Sequence, residues 1–348
     1  MSPSFPTAAT LPVPTPADSR LGGVLFALNQ DERGLFFPGG FREPGLDVAE
    51  FSVDSGSSLL ETLRRQGPSA VVTSWSTPGF QAGWLDELPE LRYIAHTTGS
   101  VRNLVPREFL ERGILVTNWG NLAGVNVAEH ALLLILAGLR RMREWPPIIA
   151  GERRWHPSPV NTQSLYGRRV GLHGFGKVAR ALVHLLRPFG VELRAYSAGV
   201  PWEEFDSLGV IPCRSLESLF SQSEILVECE ALTELNRQSV TAQVLDQLPS
   251  GALFVNVGRG ALVDEAALAE KALQGHIRLA LDVFATDPIA PNSPLHQVED
   301  AILSPHIAGP TRDQMARCGA LVLRNLHAFY AGMPLDAMVT LELYDRGT

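Results

Sequence analysis

The chain has 348 residues, 45% hydrophobic and 19% charged, with a formal net charge of −8. That length accommodates two domains of ordinary size, and the acidic balance argues against a broad basic surface for nucleic acid. The three cysteines (Cys213, Cys229, Cys318) include no C-x-x-C spacing. They argue against a disulfide framework or a zinc site and for a reducing, cytoplasmic setting.

The first 20 residues carry five prolines and no basic stretch followed by an apolar run. Residues 1–19 therefore read as a disordered tail and not as a signal peptide. Short apolar runs at 22–29, 70–75, 92–98 and 114–118 read as buried strands, with helical stretches near 56–66, 82–88 and 106–112 between them. This alternation predicts a first parallel sheet covered by helices. A helix over about 126–143 follows. Asn126 is its expected cap, with Glu129 three residues on, and Arg140, Arg141 and Arg143 are expected in its last turn. Its middle is apolar on all sides, which predicts burial all round. The longest uncharged apolar run, Ala131 to Leu139, is too short to span a bilayer, so no membrane is expected. Pro146 and Pro147 are expected to stop the helix. Residues 146–166 read as a loop with Trp155, Pro157 and Pro159 as packing residues.

The second half begins with Val170-Gly-Leu-His-Gly-Phe-Gly176, between a strand at 168–172 and a helix at 177–187. Gly174 permits a tight turn, and Gly176 lets a pyrophosphate approach the backbone. The N–H groups of Lys177 and Val178 open a helix, where an anion is favoured, and Ala179 takes the helix-packing position. Such a turn is also met as an ordinary strand-to-helix connection; its context is what favours a dinucleotide. Further strands are expected at 191–196, 225–229, 252–257, 278–283 and 301–303, with helices near 215–221, 241–247 and 264–273. Six strands with intervening helices predict a doubly wound dinucleotide fold. A last helix is expected over 311–331.

Three segments place reactive side chains just past predicted strands: Arg259 after 252–257, Asp287 after 278–283 and His306 after 301–303. Parallel strands end on one edge, the edge that also carries the glycine turn, so these residues are expected to converge. Arg259 offers a planar cation for a carboxylate. His306 exchanges a proton near neutral pH, and an adjacent carboxylate orients the ring. These are the parts required to reduce a 2-oxo acid with a nicotinamide. Each residue alone also has a structural explanation: a surface arginine, an Asp-Pro turn, a loop histidine and, for Asp282, a strand-end carboxylate bonding backbone N–H groups.

Several of these segments together resemble the D-isomer-specific 2-hydroxyacid dehydrogenase family over about residues 90–335. They are Val127-Ala-Glu-His130, Val170 to Gly176, Asn256-Val-Gly-Arg-Gly-Ala-Leu-Val-Asp264, Ala280-Leu-Asp-Val-Phe284 and Ser304-Pro-His-Ile-Ala-Gly309. The resemblance implies an α/β architecture of two doubly wound parallel sheets. A Rossmann cofactor domain (121–310) is inserted in a discontinuous, flavodoxin-like substrate domain (20–120 and 311–340). It implies an NAD(P)-dependent enzyme acting on a small 2-oxo or D-2-hydroxy acid, no metal, and a homodimer formed through the cofactor domains and the long helix. His306 is then the acid/base, Asp287 its partner and Arg259 the substrate arginine. Gly174, Gly176, Lys177, Val178 and Ser197 belong to the cofactor, with Val257, Gly258, Asp282, Arg259, His306 and Gly309 on the nicotinamide side. Thr98, Gly99, Ser100 and Val101 match the loop whose backbone amides bind the substrate carboxylate.

The chain departs from the family pattern at three places. Asp287 replaces a glutamate, which puts its reach to His306 in question. The strand after the glycine turn ends in Ser197 instead of the aspartate that bonds the NAD ribose, so NAD is favoured and NADP left open. Glu228-Cys-Glu-Ala-Leu-Thr233 replaces a His-x-Pro-Leu-Thr loop and brings two acids toward the pocket. Alternative readings are a phosphoglycerate-type oxidation, with Arg102 binding a second anion, and a nicotinamide-binding sensor with vestigial catalysis.

Overall fold

A computed structural model describes residues 23–41, 45–152 and 160–345. The 1–19 tail and Trp155, Pro157 and Pro159 lie outside the described residues. The chain divides into two compact units. Unit 1 runs to Gly120 and includes Met315–Leu341; unit 2 covers Asn121–Gln314 and the residues from Glu342 on.

Unit 1 is built on β1 (Val24–Ala27), β2 (Val48–Glu50), β3 (Ala70–Thr73), β4 (Tyr93–His96) and β5 (Leu115–Thr117). All pair in parallel in the order β2-β1-β3-β4-β5. The apolar runs of β1, β3 and β4 are fully buried, as strands covered on both faces must be. Two elements go beyond the sequence reading. The helix α1 (Gln30–Phe36) is short and largely polar, yet Asn29 and Glu32 close a capping box at its start. The edge strand β2 is three residues long and only partly buried. The helices α2 (Leu59–Gln66) and α3 (Arg107–Glu111) lie within the expected stretches, whereas Ala82–Glu87 is a 3-10 helix.

Unit 2 opens with α4 (Leu122–Leu139), which corrects the expected helix at both ends. It starts four residues before Asn126, from Asn121, whose side chain makes no cap bond. Gly124 stands in the first turn because the helix Lys177–Leu186 passes there: a Cβ would lie 3.3 Å from Lys177 Cβ. The helix ends at Leu139 because Arg141 turns left-handed (φ 53°), so Arg140, Arg141 and Arg143 follow it instead of forming its last turn. Pro146 and Pro147 do not stop it. They sit in a separate helical turn, α5 (Trp145–Pro147), at positions where no N–H is needed, and helical turns continue through Ile148–Glu152. Nor is α4 buried all round. Asn121, Val125, Glu129 and Leu133, spaced by four, form an exposed stripe. By length and composition α4 is apolar enough to cross a membrane, but half of it is buried inside unit 2, packed on the helix Lys177–Leu186 and the strands Ala252–Asn256 and Ile277–Leu281.

The strands of unit 2 are β6 (Arg169–His173), β7 (Glu192–Tyr196), β8 (Ile211–Pro212), β9 (Ile225–Glu228), β10 (Ala252–Asn256), β11 (Ile277–Leu281) and β12 (Ile302–Leu303). The helices are α6 (Lys177–Leu186), α7 (Trp202–Asp206), α8 (Leu216–Ser221), α9 (Ala242–Leu245) and α10 (Glu265–Leu273). The sheet has seven parallel strands, one more than expected, in the order β12-β11-β10-β9-β6-β7-β8. The additional strand, β8, is a two-residue edge containing Pro212. The order reverses direction between β6 and β9, and that switch point is where such sheets bind ligands.

The helix α11 (Arg312–Tyr330), which belongs to unit 1 from Met315 on, buries Cys318, Gly319, Val322 and Leu326. A last helix, α12 (Leu341–Asp345), closes the described chain. At Gly319 an added Cβ would stand 1.9 Å from the Phe36 carbonyl oxygen, a backbone atom that cannot swing aside. Gly319→Ala is expected to cost about 2 kcal/mol, read as a lowered unfolding temperature.

His96 closes β4 and is 3% exposed. Its Nδ1 bonds Thr73 Oγ1 at 3.0 Å and its Nε2 bonds Thr98 Oγ1 at 2.6 Å. Burial lowers its pKa to about 4. Below pH 6.5 the unfolded chain therefore takes up a proton that the folded chain refuses. Stability is expected to fall as pH drops from about 6.5 toward about 4, by about 1 kcal/mol per pH unit. Denaturant unfolding at about pH 7.5 and about pH 5 checks this; His96→Gln flattens the difference.

Candidate active site

The glycine turn leaves β6 at the switch point. Gly174 has φ 100°, and a Cβ there would stand 2.6 Å from Glu230 N. Both the left-handed backbone and the close approach exclude a side chain. Gly176 is the N-cap of the ten-residue α6, makes no side-chain cap bond, and has no atom within 4 Å of where its Cβ would point. The first N–H groups of α6, beginning with Lys177 and half-buried Val178, lie at a helix N-terminus, an end that favours an anion. Partial burial lowers the Lys177 pKa.

His173, just before this turn, is 4% exposed and is not available as a ligand. Its Nδ1 lies 2.5 Å from Glu228 Oε2, and Glu228 is fully buried. Burial disfavours the His173 cation, but Glu228, with Glu230 behind it, outweighs burial and raises the pKa. Of the two acids in the 228–230 turn, Glu228 is thus held by His173, while Glu230 accepts from Ser197 Oγ at 2.6 Å.

At the end of β10, Gly258 N donates to Asn256 Oδ1 at 3.0 Å, and Val257 N to the Glu228 carbonyl at 3.1 Å. The second bond ties the Arg259 turn to the end of β9. On its other side Gly260 rests directly on the Phe284 carbonyl, which a Cβ would meet at 1.9 Å. Arg259 is half-buried, and its Nη1 donates to the Gly258 carbonyl at 2.8 Å. Burial lowers its pKa and the Asp287 charge works against that; the guanidinium remains a cation.

His306 and Asp287 meet. Nδ1 of His306 lies 2.9 Å from Asp287 Oδ2. The shorter acid therefore does reach the ring. Because a carboxylate only accepts, Nδ1 carries the proton donated to it, which leaves Nε2 for another partner. His306 is 48% and Asp287 38% exposed on their side chains, so both can meet a ligand.

Asp282 takes another position. It is 1% exposed and accepts from Ser304 Oγ (2.5 Å), Ile307 N (3.0 Å) and Ala308 N (2.9 Å). His130 of α4 adds Nε2 contacts to Ser304 Oγ at 2.9 Å and to Asp282 at 3.4 Å. Burial alone would raise the Asp282 pKa, but these hydrogen bonds prevail and hold it below its usual value. Asp282 thus pins the segment that carries His306 in a left-handed conformation (φ 54°), with Gly309 directly beyond. His130, which the sequence offers only as part of the Val127–His130 motif, belongs to this support.

In unit 1, Thr98, Gly99, Ser100 and Val101 follow β4. Asn118 Nδ2 holds the Gly99 carbonyl at 2.8 Å, and Trp119 N donates to the Thr98 carbonyl at 3.0 Å. Among the described residues, the N–H groups of Ser100 and Val101 have no acceptor.

Comparison with known proteins identifies the family to which this fold belongs. Residues 132–308 match the model of the D-isomer specific 2-hydroxyacid dehydrogenase, NAD binding domain. The chain is 32% identical over 269 residues to a glyoxylate reductase of Aeropyrum pernix, covering 74% of this chain and 79% of that one. It is 30% identical over 245 residues to a D-3-phosphoglycerate dehydrogenase of Mycobacterium tuberculosis, covering 70% and 46%. A crystal structure of a Thermus thermophilus protein superposes with a TM-score of 0.74 at 26% identity, over 91% of this chain and 99% of that one. A glyoxylate reductase from Paecilomyes thermophila shares the fold at TM-score 0.74 and 23% identity, over 91% and 98%. The chain belongs to the D-isomer-specific 2-hydroxyacid dehydrogenase family, and its second unit carries that family's NAD binding domain.

Proposed function

We propose that this protein reduces small 2-oxo acids to D-2-hydroxy acids, and catalyses the reverse reaction, with a nicotinamide dinucleotide. The observation that carries the reading is the His306–Asp287 hydrogen bond on the sheet edge that also holds Arg259 and the glycine turn. The relatives named glyoxylate reductase support the substrate class. The nicotinamide supplies the hydride when bound.

The residues of the chain do the rest. His306 gives a proton from Nε2 to the carbonyl oxygen as that oxygen becomes an alkoxide. Asp287 keeps the ring in the tautomer with Nδ1 protonated and offsets the imidazolium charge. Arg259 binds the acid and, at the same time, polarises the carbonyl. In the reverse direction His306 accepts the hydroxyl proton. Gly174, Gly176, Lys177 and Val178 are assigned to the pyrophosphate and Ser197 to the ribose. Val257, Gly258 and Gly309 are assigned to the nicotinamide side, where Asp282 acts through the loop it holds. Considered by itself, the unit 1 loop Thr98, Gly99, Ser100 and Val101 is proposed to bind a carboxylate through the N–H groups of Ser100 and Val101. The same reading puts a homodimer contact on the exposed stripe of α4, where Val125 is 59% and Leu133 53% exposed.

Oxidation of NADH and NADPH by glyoxylate, hydroxypyruvate, pyruvate and longer 2-oxo acids tests the proposal; failure of every pair contradicts it. His306→Ala is expected to lower kcat by about 100-fold or more. Arg259→Ala is expected to raise KM as well as lower kcat, because the same cation binds ground state and transition state.

A further inference from the structure

The adenosine end of the cofactor site holds an acid in an unusual place. In a doubly wound sheet the carboxylate that bonds the ribose comes from the strand after the glycine turn, about 20 residues downstream. Here that strand is β7, and Ser197 stands just past its end. A hydroxyl can bond a ribose but brings no charge. The charge is present all the same, supplied from the opposite side of the switch point. Glu230, two residues past β9, accepts from Ser197 Oγ through Oε2. Its other oxygen, Oε1, accepts from Ala231 N at 2.9 Å. Glu230 N donates to the buried Glu228 carboxylate at 2.9 Å, and the Glu230 peptide lies directly against Gly174. The acid is therefore held by its backbone, by the next residue and by Ser197, beside the turn expected to hold the pyrophosphate.

The arginines of this region are largely committed. Arg194 donates to Glu192, and Arg180 is paired with Glu204. The guanidinium of Arg214 lies 6.0 Å from the ring centre of Trp202, on the chain just beyond the Ser197 turn.

We propose that Glu230, presented through Ser197, is the ribose-binding acid of this protein and selects NAD(H) against NADP(H). The inference rests on the dinucleotide-dependent reading above. An ionised carboxylate accepts strongly from the ribose hydroxyls. A 2′-phosphate replaces one of those donors with like charge next to a half-buried carboxylate, and like charges so placed oppose binding. The selecting acid has thus moved from the end of β7 to the end of β9, with Ser197 as its contact.

The test is equilibrium binding of NADH and NADPH to the purified full chain without substrate, followed by nicotinamide fluorescence and by calorimetry. The wild-type protein is expected to bind NADH about tenfold or more tighter than NADPH. Glu230→Gln retains the shape and the bond to Ser197 but removes the charge; it brings the two affinities to within about threefold of each other. Adding Ser197→Asp to that variant returns a carboxylate to the end of β7 and restores the preference for NADH, which a merely damaged fold would not permit. If Glu230→Gln fails to fold, Glu230→Asp, which keeps the charge one methylene back, is expected to lose NADH affinity while still discriminating against NADPH. Equal affinities in the wild type, an unchanged ratio in Glu230→Gln, or tight NADPH binding that Arg214→Ala abolishes would overturn the inference. Binding of neither nucleotide would strike instead at the dinucleotide-dependent reading on which the inference rests.

Discussion

All seven strands of the second unit run parallel, so every strand-to-helix turn leaves the sheet on one edge. That constraint brings residues from distant parts of the chain within hydrogen-bonding range. It also crowds the backbone: the Gly174 turn lies against Glu230, and the Gly260 turn lies against Phe284. The polar groups at this edge cannot all face water, and the buried acids Glu228 and Asp282 are paired. His173 meets Glu228, and Asp282 meets Ser304, Ile307 and Ala308. A buried carboxylate without such partners would be costly, whereas one that is fully hydrogen-bonded is a rigid anchor.

The edge shows a division of labour between two aspartates. Asp282 is buried and saturated, and it holds the shape of the 304–308 segment. Asp287 is half-exposed and touches the ring of His306. The first controls where the imidazole sits, and the second controls which nitrogen is free. Glutamates 228 and 230 divide in the same way: Glu228 is consumed by His173, and Glu230 turns toward Ser197. In each pair the less buried member is the one nearer a ligand's reach.

Much of this architecture is legible in the sequence because strands covered on both faces must be continuous apolar runs. Val24–Ala27, Ala70–Thr73 and Ala252–Asn256 are fully buried and carry that signature. The edge strands Val48–Glu50 and Ile211–Pro212 do not, since an edge is short and half-wet. The ends of α4 escape a pattern-based reading because tertiary packing sets them, at Gly124 against Lys177 and at left-handed Arg141. The residues of the site are legible as strand-end positions. Their partners are legible only in part: Asp287 is expected beside His306 and Asp282 reads as able to accept from backbone N–H groups, but side-chain direction after a strand depends on the turn that follows. Neither the reach of Asp287 nor the inward turn of Glu228 can be deduced from spacing.

The central claim is that this edge carries out hydride transfer to the carbonyl carbon of a 2-oxo acid, with His306 protonating the oxygen. The most direct measurement uses pyruvate, glyoxylate or hydroxypyruvate with NADH carrying deuterium at both positions of nicotinamide C4. The product is examined by mass spectrometry and, where it is chiral, by chiral chromatography. The account predicts one deuterium at C2 of a 2-hydroxy acid of D configuration. A hydroxy acid without deuterium at C2, or one of L configuration, would contradict it.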